Sequence, residues 1–126
     1  MIVGLGVDLA PVADIERLYT RHESRFLDRV FTPAEQDYCL GRRNKFQHLA
    51  ARFAAKEAAS KALGTGIGRT VRWTDIEVLH DERRRPILHL HRGAARLADK
   101  LGAKSFWVSL SHTADHAVAT VVLEKP

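Results

Sequence analysis

The chain has 126 residues, which is enough for one hydrophobic core but not for two, so we expect a single domain over residues 1–126. Apolar residues make up 45% and charged residues 28%, a balance that excludes an intrinsically disordered chain. No apolar run approaches the roughly 20 residues of a membrane helix, and the first ten residues lack the basic lead of a signal peptide. Cys39 is the only cysteine, so no intramolecular disulfide can form, and these features together favour a cytoplasmic protein that does not bind membranes.

The formal net charge is +5, and the basic residues are clustered along the chain. A basic protein of this size attracts nucleic acid, phosphates, nucleotides or an acidic protein, and composition does not choose among them. Further clusters lie at residues 42–45 and 83–85. One series recurs every four residues and would form a basic stripe on helices: Arg17, Arg21, Arg25 and Arg29.

Residues 2–9 alternate with period two and predict a buried strand. One face carries Val3 and the next three odd-numbered apolar residues, and the other carries Gly4, Gly6 and Asp8. The two glycines leave room for another backbone, a helix or a ligand to approach closely. Asp8 then either caps the helix that follows or belongs to a functional site, and the pattern leaves both open.

Helical patterns follow this strand. Pro11 suits a first helical turn, and apolar residues recur at helical spacing to Leu18, with a second helix predicted at 26–30. Thr32 and Glu35 form a capping box that begins a third helix, which runs to about residue 40. Residues 44–63 are rich in alanine and free of glycine and proline, so they predict the longest helix, ended by the glycines of 64–68.

The rest of the chain predicts mainly strands. Residues 76–80 and 87–91 read as a hairpin, 93–101 as a short helix, and 106–111 and 117–123 as a second strand pair. We therefore predict an α+β single domain with a mostly antiparallel sheet, a long central helix and shorter helices.

The long helix carries an acidic residue in an unusual phase. Phe46, Ala50 and Phe53 define an apolar line, and steps of four from Phe53 reach Glu57 and then Lys61. This phase predicts Glu57 in the middle of the buried face. The alternative is an ordinary surface pair between Glu57 and Lys61, worth a few tenths of a kcal/mol. A carboxylate on a buried face must instead be paired or bound to a metal.

Asp8 and Glu57 together suit Mg²⁺, which takes one or two protein carboxylates and completes its shell with water and substrate phosphates. Lys61, one turn further along the helix, could neutralise charge that develops in a phosphoryl transfer. The glycines after the helix are not a Walker or Rossmann loop, because those loops precede a helix. A simple helix stop at Gly64 is the alternative to a phosphate loop.

Three motifs resemble those of the stand-alone 4'-phosphopantetheinyl transferases of the holo-acyl-carrier-protein synthase type. They are Gly6-Val7-Asp8, RFAAKEAASKALG at 52–64 and VSLSHT at 108–113. The resemblance runs from Met1 to about Glu124, and its central block is highly specific. It implies the transfer of 4'-phosphopantetheine from coenzyme A to a serine of apo-acyl carrier protein, in fatty acid biosynthesis. Adenosine 3',5'-bisphosphate would be the second product.

The resemblance also implies a role for each matching residue. Asp8 and Glu57 would be the catalytic Mg²⁺ ligands, and Lys61 would contact the same phosphates and assist proton movement. Arg52, His112 and the Gly64 loop would line the coenzyme A site with phosphate contacts, and members of the family are usually homotrimers with sites between subunits. The residues expected to bind coenzyme A, some of them from a neighbouring subunit, are Arg43, Lys45, Arg52, Lys61, Gly64 and His112.

One position departs from the pattern of the family. Relatives commonly carry a basic residue six positions after the motif aspartate, where it helps to bind the acidic carrier protein, and this chain has Asp14 there. We expect Arg17, Arg21 and Arg25 to supply that charge instead.

Two other classes compete with this interpretation: a small basic nucleic-acid-binding module, and a carrier-binding scaffold without chemistry. The first would interleave aromatic and basic residues on an exposed face, whereas this chain has only nine aromatic residues, several of them in core phase. It also leaves Asp8 and Glu57 unexplained, so we expect no nucleic-acid partner.

Overall fold

A computed structural model describes all 126 residues. None of its helices combines the length and the apolar character that crossing a bilayer requires. The elements in chain order are β1 (Ile2–Pro11), α1 (Val12–Val30), α2 (Pro33–Leu40), α3 (Lys45–Ala62), β2 (Ile76–His80), β3 (Pro86–Leu90), α4 (Arg92–Leu101), β4 (Ser105–His112) and β5 (His116–Glu124). A short 3₁₀ turn, Trp73–Asp75, leads into β2.

The strands form two separate antiparallel sheets. β1, β5 and β4 make a three-stranded sheet in that order, and β2 and β3 form a hairpin of their own. The predicted α+β class is confirmed, and the predicted strands lie within two residues of the observed ones. The expectation of one sheet was incomplete, because hydrogen bonds pair β3 only with β2.

Helix α3 packs directly on the inner face of the three-stranded sheet. A Cβ atom placed on Gly6 would lie 1.9 Å from the carbonyl oxygen of Ala58, and one on Gly4 would lie 2.2 Å from that of Ala62. Both distances are far below van der Waals contact, so only glycine fits at these two positions. The close approach expected from the glycines of β1 is thus made by the backbone of α3.

The opposite face of β1 is exposed rather than buried. Leu5, Val7 and Leu9 are 65%, 56% and 60% exposed, so the prediction of a buried strand was wrong for this face of the isolated chain. These large side chains point away from α3, because successive residues of a strand face opposite sides and Gly4, Gly6 and Asp8 are the ones that face the helix. Trp107 on β4 lies on the same outer surface, since both it and Leu5 pair with Val122 of β5.

Helix α1 is one element with a kink, where the sequence predicted two helices. Glu23 has φ of 23° and ψ of −98°, which interrupts the helical geometry between the two predicted segments. The kink separates Arg17 and Arg21 from Arg25 and Arg29. The four arginines therefore do not continue as one straight stripe, because the spacing rule holds only along an uninterrupted helix.

The capping box of α2 is present and reaches far beyond the helix. Thr32 N–H donates to Glu35 Oε1 over 2.9 Å, and Glu35 N–H donates to Thr32 Oγ1 over 3.3 Å. The second carboxylate oxygen of Glu35 accepts from Val78 N–H of β2 over 2.8 Å. A helix cap thus also connects α2 to the hairpin.

Glu35 forms a fully buried ion pair with Lys56 of α3. The Lys56 Nζ to Glu35 Oε1 distance is 2.7 Å, and both side chains are inaccessible to solvent. Lys56 also donates to the carbonyl oxygens of Trp73 and Ile76, so the ammonium group is held from three elements. Because both charges are surrounded by hydrogen-bond partners, the pair joins α2, α3 and β2 into one unit.

The core also contains the only cysteine. Cys39 lies on α2 with no exposed surface, and its burial raises the pKa of the thiol to about 11.

We predict that Lys56→Met destabilises the fold by roughly 3–5 kcal/mol, because the buried Glu35 carboxylate loses its counter-ion. Urea unfolding followed by circular dichroism would measure the loss. Lys100→Met, at an exposed position of α4, is the matched control and should change stability by less than about 0.5 kcal/mol. Equal stability of the two variants would contradict the structural role of the pair.

Candidate active site

The inner face of β1 brings Asp8 against the C-terminal half of α3. Lys61 Nζ donates to Asp8 Oδ1 over 2.9 Å and to the carbonyl oxygen of Val7 over 3.2 Å. The Asp8 side chain is 18% exposed and that of Lys61 is 51% exposed, so this ion pair lies at the edge of the core. The hydrogen bond and the charge of Asp8 raise the pKa of Lys61, which keeps the ammonium charged.

Glu57 lies beside this pair and has no hydrogen-bond donor on its carboxylate. It is half-buried at the border of α3, so the prediction that it occupies the middle of the buried face was wrong. The buried face is formed instead by alanines such as Ala54, Ala55 and Ala58, because only small side chains allow the helix to lie on the sheet. Burial raises the pKa of Glu57, and the nearby Asp8 charge raises it further.

Asp8 and Glu57 line one cleft of about 380 Å³ between β1, α1 and α3. Its other walls include Pro11, Leu18 and Phe53. Glu57 also borders a larger cleft of about 740 Å³, whose basic walls are formed by Arg29, Arg69 and Arg72. The two clefts share only Glu57, so this carboxylate stands between an acidic region and a basic one.

The donor set of the first cleft fits a magnesium ion. Asp14 also lines the cleft but is paired with Arg17, and no group of three or more histidine, cysteine or acidic side chains is placed to hold a metal. The site therefore offers the two carboxylates of Asp8 and Glu57. Mg²⁺ is commonly held by one or two carboxylates and takes its other ligands from water and substrate phosphates. Burial is the first cause of the raised pKa of Glu57 and repulsion by the Asp8 charge is the second, and a divalent cation would relieve that repulsion.

Arg52 and His112, two residues expected at the coenzyme site, do not line the cleft of Asp8 and Glu57. They line a third cleft of about 400 Å³ between α2, α3, the β2–β3 loop and β4. Arg52 and Glu57 are five positions apart on α3, so they project about 140° apart around the helix. A single chain therefore does not bring the predicted nucleotide contacts and the two acids into one cleft.

The remaining predicted binding residues surround the ends of α3. Arg43 is exposed in the turn after α2, and Lys45 places its ammonium 4.9 Å from the ring centre of Tyr19. Gly64 has a φ of 89° and follows the last turn of α3. The backbone N–H groups of Gly64, Thr65 and Gly66 donate to carbonyl oxygens of α3, so this loop ends the helix and offers few free donors.

The predicted docking arginines are exposed on α1, but they differ in their partners. Arg17 is hydrogen-bonded to Asp14, the acidic residue at the position where the family commonly has a basic one. Arg21 and Arg25 have no carboxylate partner and lie on either side of the kink. Their charges are therefore more available to an acidic ligand than that of Arg17.

Sequence reasoning missed His48 and His80, which line the third cleft with Arg52. His48 lies one helical turn before Arg52, and this spacing was a signal that could have placed the two on one face. The contact of His80 with Arg52 crosses from β2 to α3, and no spacing in the sequence indicates it.

The chain is similar to known proteins in both sequence and structure. The family model described as the 4'-phosphopantetheinyl transferase superfamily matches residues 4–121. A holo-[acyl-carrier-protein] synthase from Solibacter usitatus is 50% identical over 124 residues, which cover 98% of this chain and 99% of that protein. One from Geobacter sulfurreducens is 44% identical over 126 residues and the full length of both chains.

Solved structures of holo-[acyl-carrier-protein] synthases also match this chain over nearly its full length. The holo-[acyl-carrier-protein] synthase of Neisseria meningitidis is 34% identical with a TM-score of 0.91, and covers 99% of this chain and 100% of its own. The enzyme of Bacillus anthracis, in complex with CoA (3',5'-ADP), is 38% identical with a TM-score of 0.83, and covers 100% of this chain and 99% of its own. The chain therefore belongs to the 4'-phosphopantetheinyl transferase superfamily.

Proposed function

We propose that this chain is a holo-acyl-carrier-protein synthase, a transferase that moves 4'-phosphopantetheine from coenzyme A to a serine of apo-acyl carrier protein. The serine hydroxyl oxygen forms a bond to the β-phosphate, the bond between that phosphorus and the pyrophosphate bridge breaks, and adenosine 3',5'-bisphosphate leaves. The observation that carries the proposal is that Asp8 and Glu57 line one cleft and Lys61 pairs with Asp8, in a chain that matches this family over nearly its full length.

Asp8 and Glu57 are the residues that would hold Mg²⁺ in this reaction. The ion would neutralise the pyrophosphate and orient it for displacement. Glu57 is suited to this role because its carboxylate has no competing donor, and its half-buried position keeps it facing the cleft. Asp8 is held in place by Lys61, whose ammonium is already bound to one of its oxygens.

Lys61 is the cation that would contact the phosphates directly. Its side chain is half exposed, so it can turn from Asp8 toward an anion in the cleft. With the charge of Asp8 balanced by a divalent ion, Lys61 would be free to stabilise the negative charge that grows on the leaving phosphate. The serine proton would leave through the carboxylates or through water at the same edge.

A homotrimer with sites between subunits would explain two features of the isolated chain. The outer face of the three-stranded sheet exposes Leu5, Val7, Leu9 and Trp107, a contiguous apolar surface of the kind that marks an interface between proteins. The third cleft, which Arg52 and His112 line, shares no lining residue with the cleft of Asp8 and Glu57. Assembly of subunits would let the basic cleft of one chain bind the nucleotide held at the acids of the next.

The acidic acyl carrier protein would dock on α1 beside the first cleft. Arg21 and Arg25 are exposed and lack carboxylate partners, and Arg29 continues the basic surface into the cleft that Glu57 borders. A carrier bound there would lie close to the acids, so its serine could reach the phosphates while the carrier stays bound. Coenzyme A and the carrier are the substrates, and the cytoplasm is the location that the proposal assigns to this reaction.

We predict that Glu57→Gln abolishes transfer while the fold remains intact, because the amide cannot share a cation with Asp8. The assay mixes protein, apo-carrier protein, coenzyme A and Mg²⁺, and detects by mass spectrometry the gain of one phosphopantetheine on the carrier. Removal of Mg²⁺ with a chelator should stop the wild-type reaction. Glu82→Gln, in the exposed β2–β3 loop, is the matched control and should be fully active. Full activity of Glu57→Gln would reject the metal site.

We predict that reversing Arg21 and Arg25 to glutamate weakens carrier use far more than coenzyme A binding. The KM for apo-carrier should rise roughly tenfold or more, since like charges then face the acidic partner, whereas the affinity for coenzyme A should stay within about twofold. The control reverses Arg96 and Lys100 on α4, which changes the net charge equally. Equal losses for both substrates would show that α1 is not a docking face.

We predict that Leu5→Lys prevents assembly and reduces transfer, because it places a charge at the centre of the exposed apolar surface. Sedimentation equilibrium would give the oligomeric state, and the transfer assay at the same concentration would give activity. His89→Lys, an exposed strand residue on the other sheet, should remain trimeric and active. A wild-type monomer with full activity on dilution would contradict a site shared between subunits.

A further inference from the structure

The third cleft has a largely basic lining. Its charged and titratable lining residues are Tyr38, His48, Arg52, His80, Arg84, Arg85 and His112, and no carboxylate lines it. A cleft of about 400 Å³ with this lining repels cations and attracts a multivalent anion.

Arg52 shows that the cleft is built for an added acceptor. The residue is only 1% exposed, and its Nε has no hydrogen-bond partner, the one buried side-chain polar atom of which this is true. Its terminal nitrogens donate to the carbonyl oxygen of His48 over 3.3 Å and contact His80 Nδ1 over 3.1 Å. A buried guanidinium with an unused donor is costly, and an anion in the cleft would supply the missing acceptor.

The contact between Arg52 and His80 determines the protonation state of that histidine. A guanidinium can only donate, so Nδ1 of His80 must accept and cannot carry a proton. His80 is therefore neutral while this contact lasts, which agrees with the lowering of its pKa by burial and by the Arg52 charge. It acts as a positioning residue, and the stacked ring of Tyr38, 4.4 Å away, holds it in place.

His48 differs from His80, because its ring nitrogens make no hydrogen bond. Its ring centre lies 5.7 Å from that of Tyr38 and 6.0 Å from that of His112. Burial first, and then the charges around it, lower the pKa of His48 to about 4. The titratable and charged groups around it come from α2 and the turn after it, α3, β2 with its loop, and β4. They are Tyr38, Arg42, Arg52, His80, Arg84, Arg85 and His112.

We propose that His48 is an additional coenzyme-binding residue that takes up a proton when a phosphate group enters this cleft. The inference rests on the proposed function, which places the reacting pyrophosphate at Asp8 and Glu57. The phosphate available for a separate basic cleft is then the 3'-phosphate on the ribose. Burial, and then the surrounding cations, keep His48 neutral, and a bound dianion would outweigh those cations and favour the protonated ring. The proton comes from solvent, so binding consumes protons and strengthens as the pH falls.

The experiment is calorimetric titration of the full chain with coenzyme A near pH 7, in several buffers that differ in ionisation enthalpy. The dependence of the observed heat on the buffer gives the number of protons taken up on binding. We expect net uptake for the wild type, and affinity that rises severalfold between pH 8 and pH 6, with about tenfold per pH unit as the limit for one proton. A phosphate monoester itself ionises near pH 6, so the same titration is run with 3'-dephospho-coenzyme A.

Two variants separate His48 from other sources of protons. His48→Gln should bind coenzyme A more weakly at low pH and lose the proton uptake, whereas His89→Gln, at an exposed position outside the cleft, should keep both. 3'-Dephospho-coenzyme A should bind without uptake. Uptake that persists in His48→Gln, or is absent in the wild type while coenzyme A binds and transfer proceeds, would reject this inference alone. No binding of coenzyme A at any pH would overturn the proposed function as well.

Discussion

The close approach of α3 to β1 is the constraint on which the candidate site depends. Because Gly4 and Gly6 have no side chains, the backbone carbonyls of Ala58 and Ala62 lie where Cβ atoms would otherwise be. The next inward-facing residue of β1 is Asp8, and the neighbouring polar residues of α3 are Glu57 and Lys61. A bulkier residue at either glycine would lift the helix and draw the acids apart, so packing in the core sets the separation of the two carboxylates.

The buried pair of Lys56 and Glu35 fixes the same helix from its other side. Lys56 directly precedes Glu57, and its ammonium is bound by α2 and by the carbonyls that flank the 3₁₀ turn before β2. That turn carries Trp73, whose ring lies 4.7 Å from that of Phe53 in the wall of the first cleft. Glu57 is thus placed between two anchors, the glycine face of β1 and the buried ion pair, which limit both sliding and rotation of α3.

The sequence was informative where structure is decided locally. The capping box of Thr32 and Glu35, the glycine that ends α3 and the space above Gly4 and Gly6 were all predicted, because each depends on backbone geometry or on side-chain size at one position. The phase of α3 was misread, because hydrophobicity alone ranked two phenylalanines above the alanines, while close packing required the smaller residues inside. The exposure of the outer face of β1 and the contact between His80 and Arg52 depend on segments far apart in the sequence. The spacing of residues within one segment therefore does not predict them.

Burial of Cys39 has a practical consequence for work on this protein. A thiol reacts with electrophiles and oxidants through its thiolate, and a pKa of about 11 leaves almost none of that form near neutral pH. The folded chain should therefore resist alkylation and oxidation at its native cysteine. A cysteine introduced at the surface of α1 would then be the only reactive sulfur, which allows a fluorescent probe to be attached there selectively without first replacing the native residue.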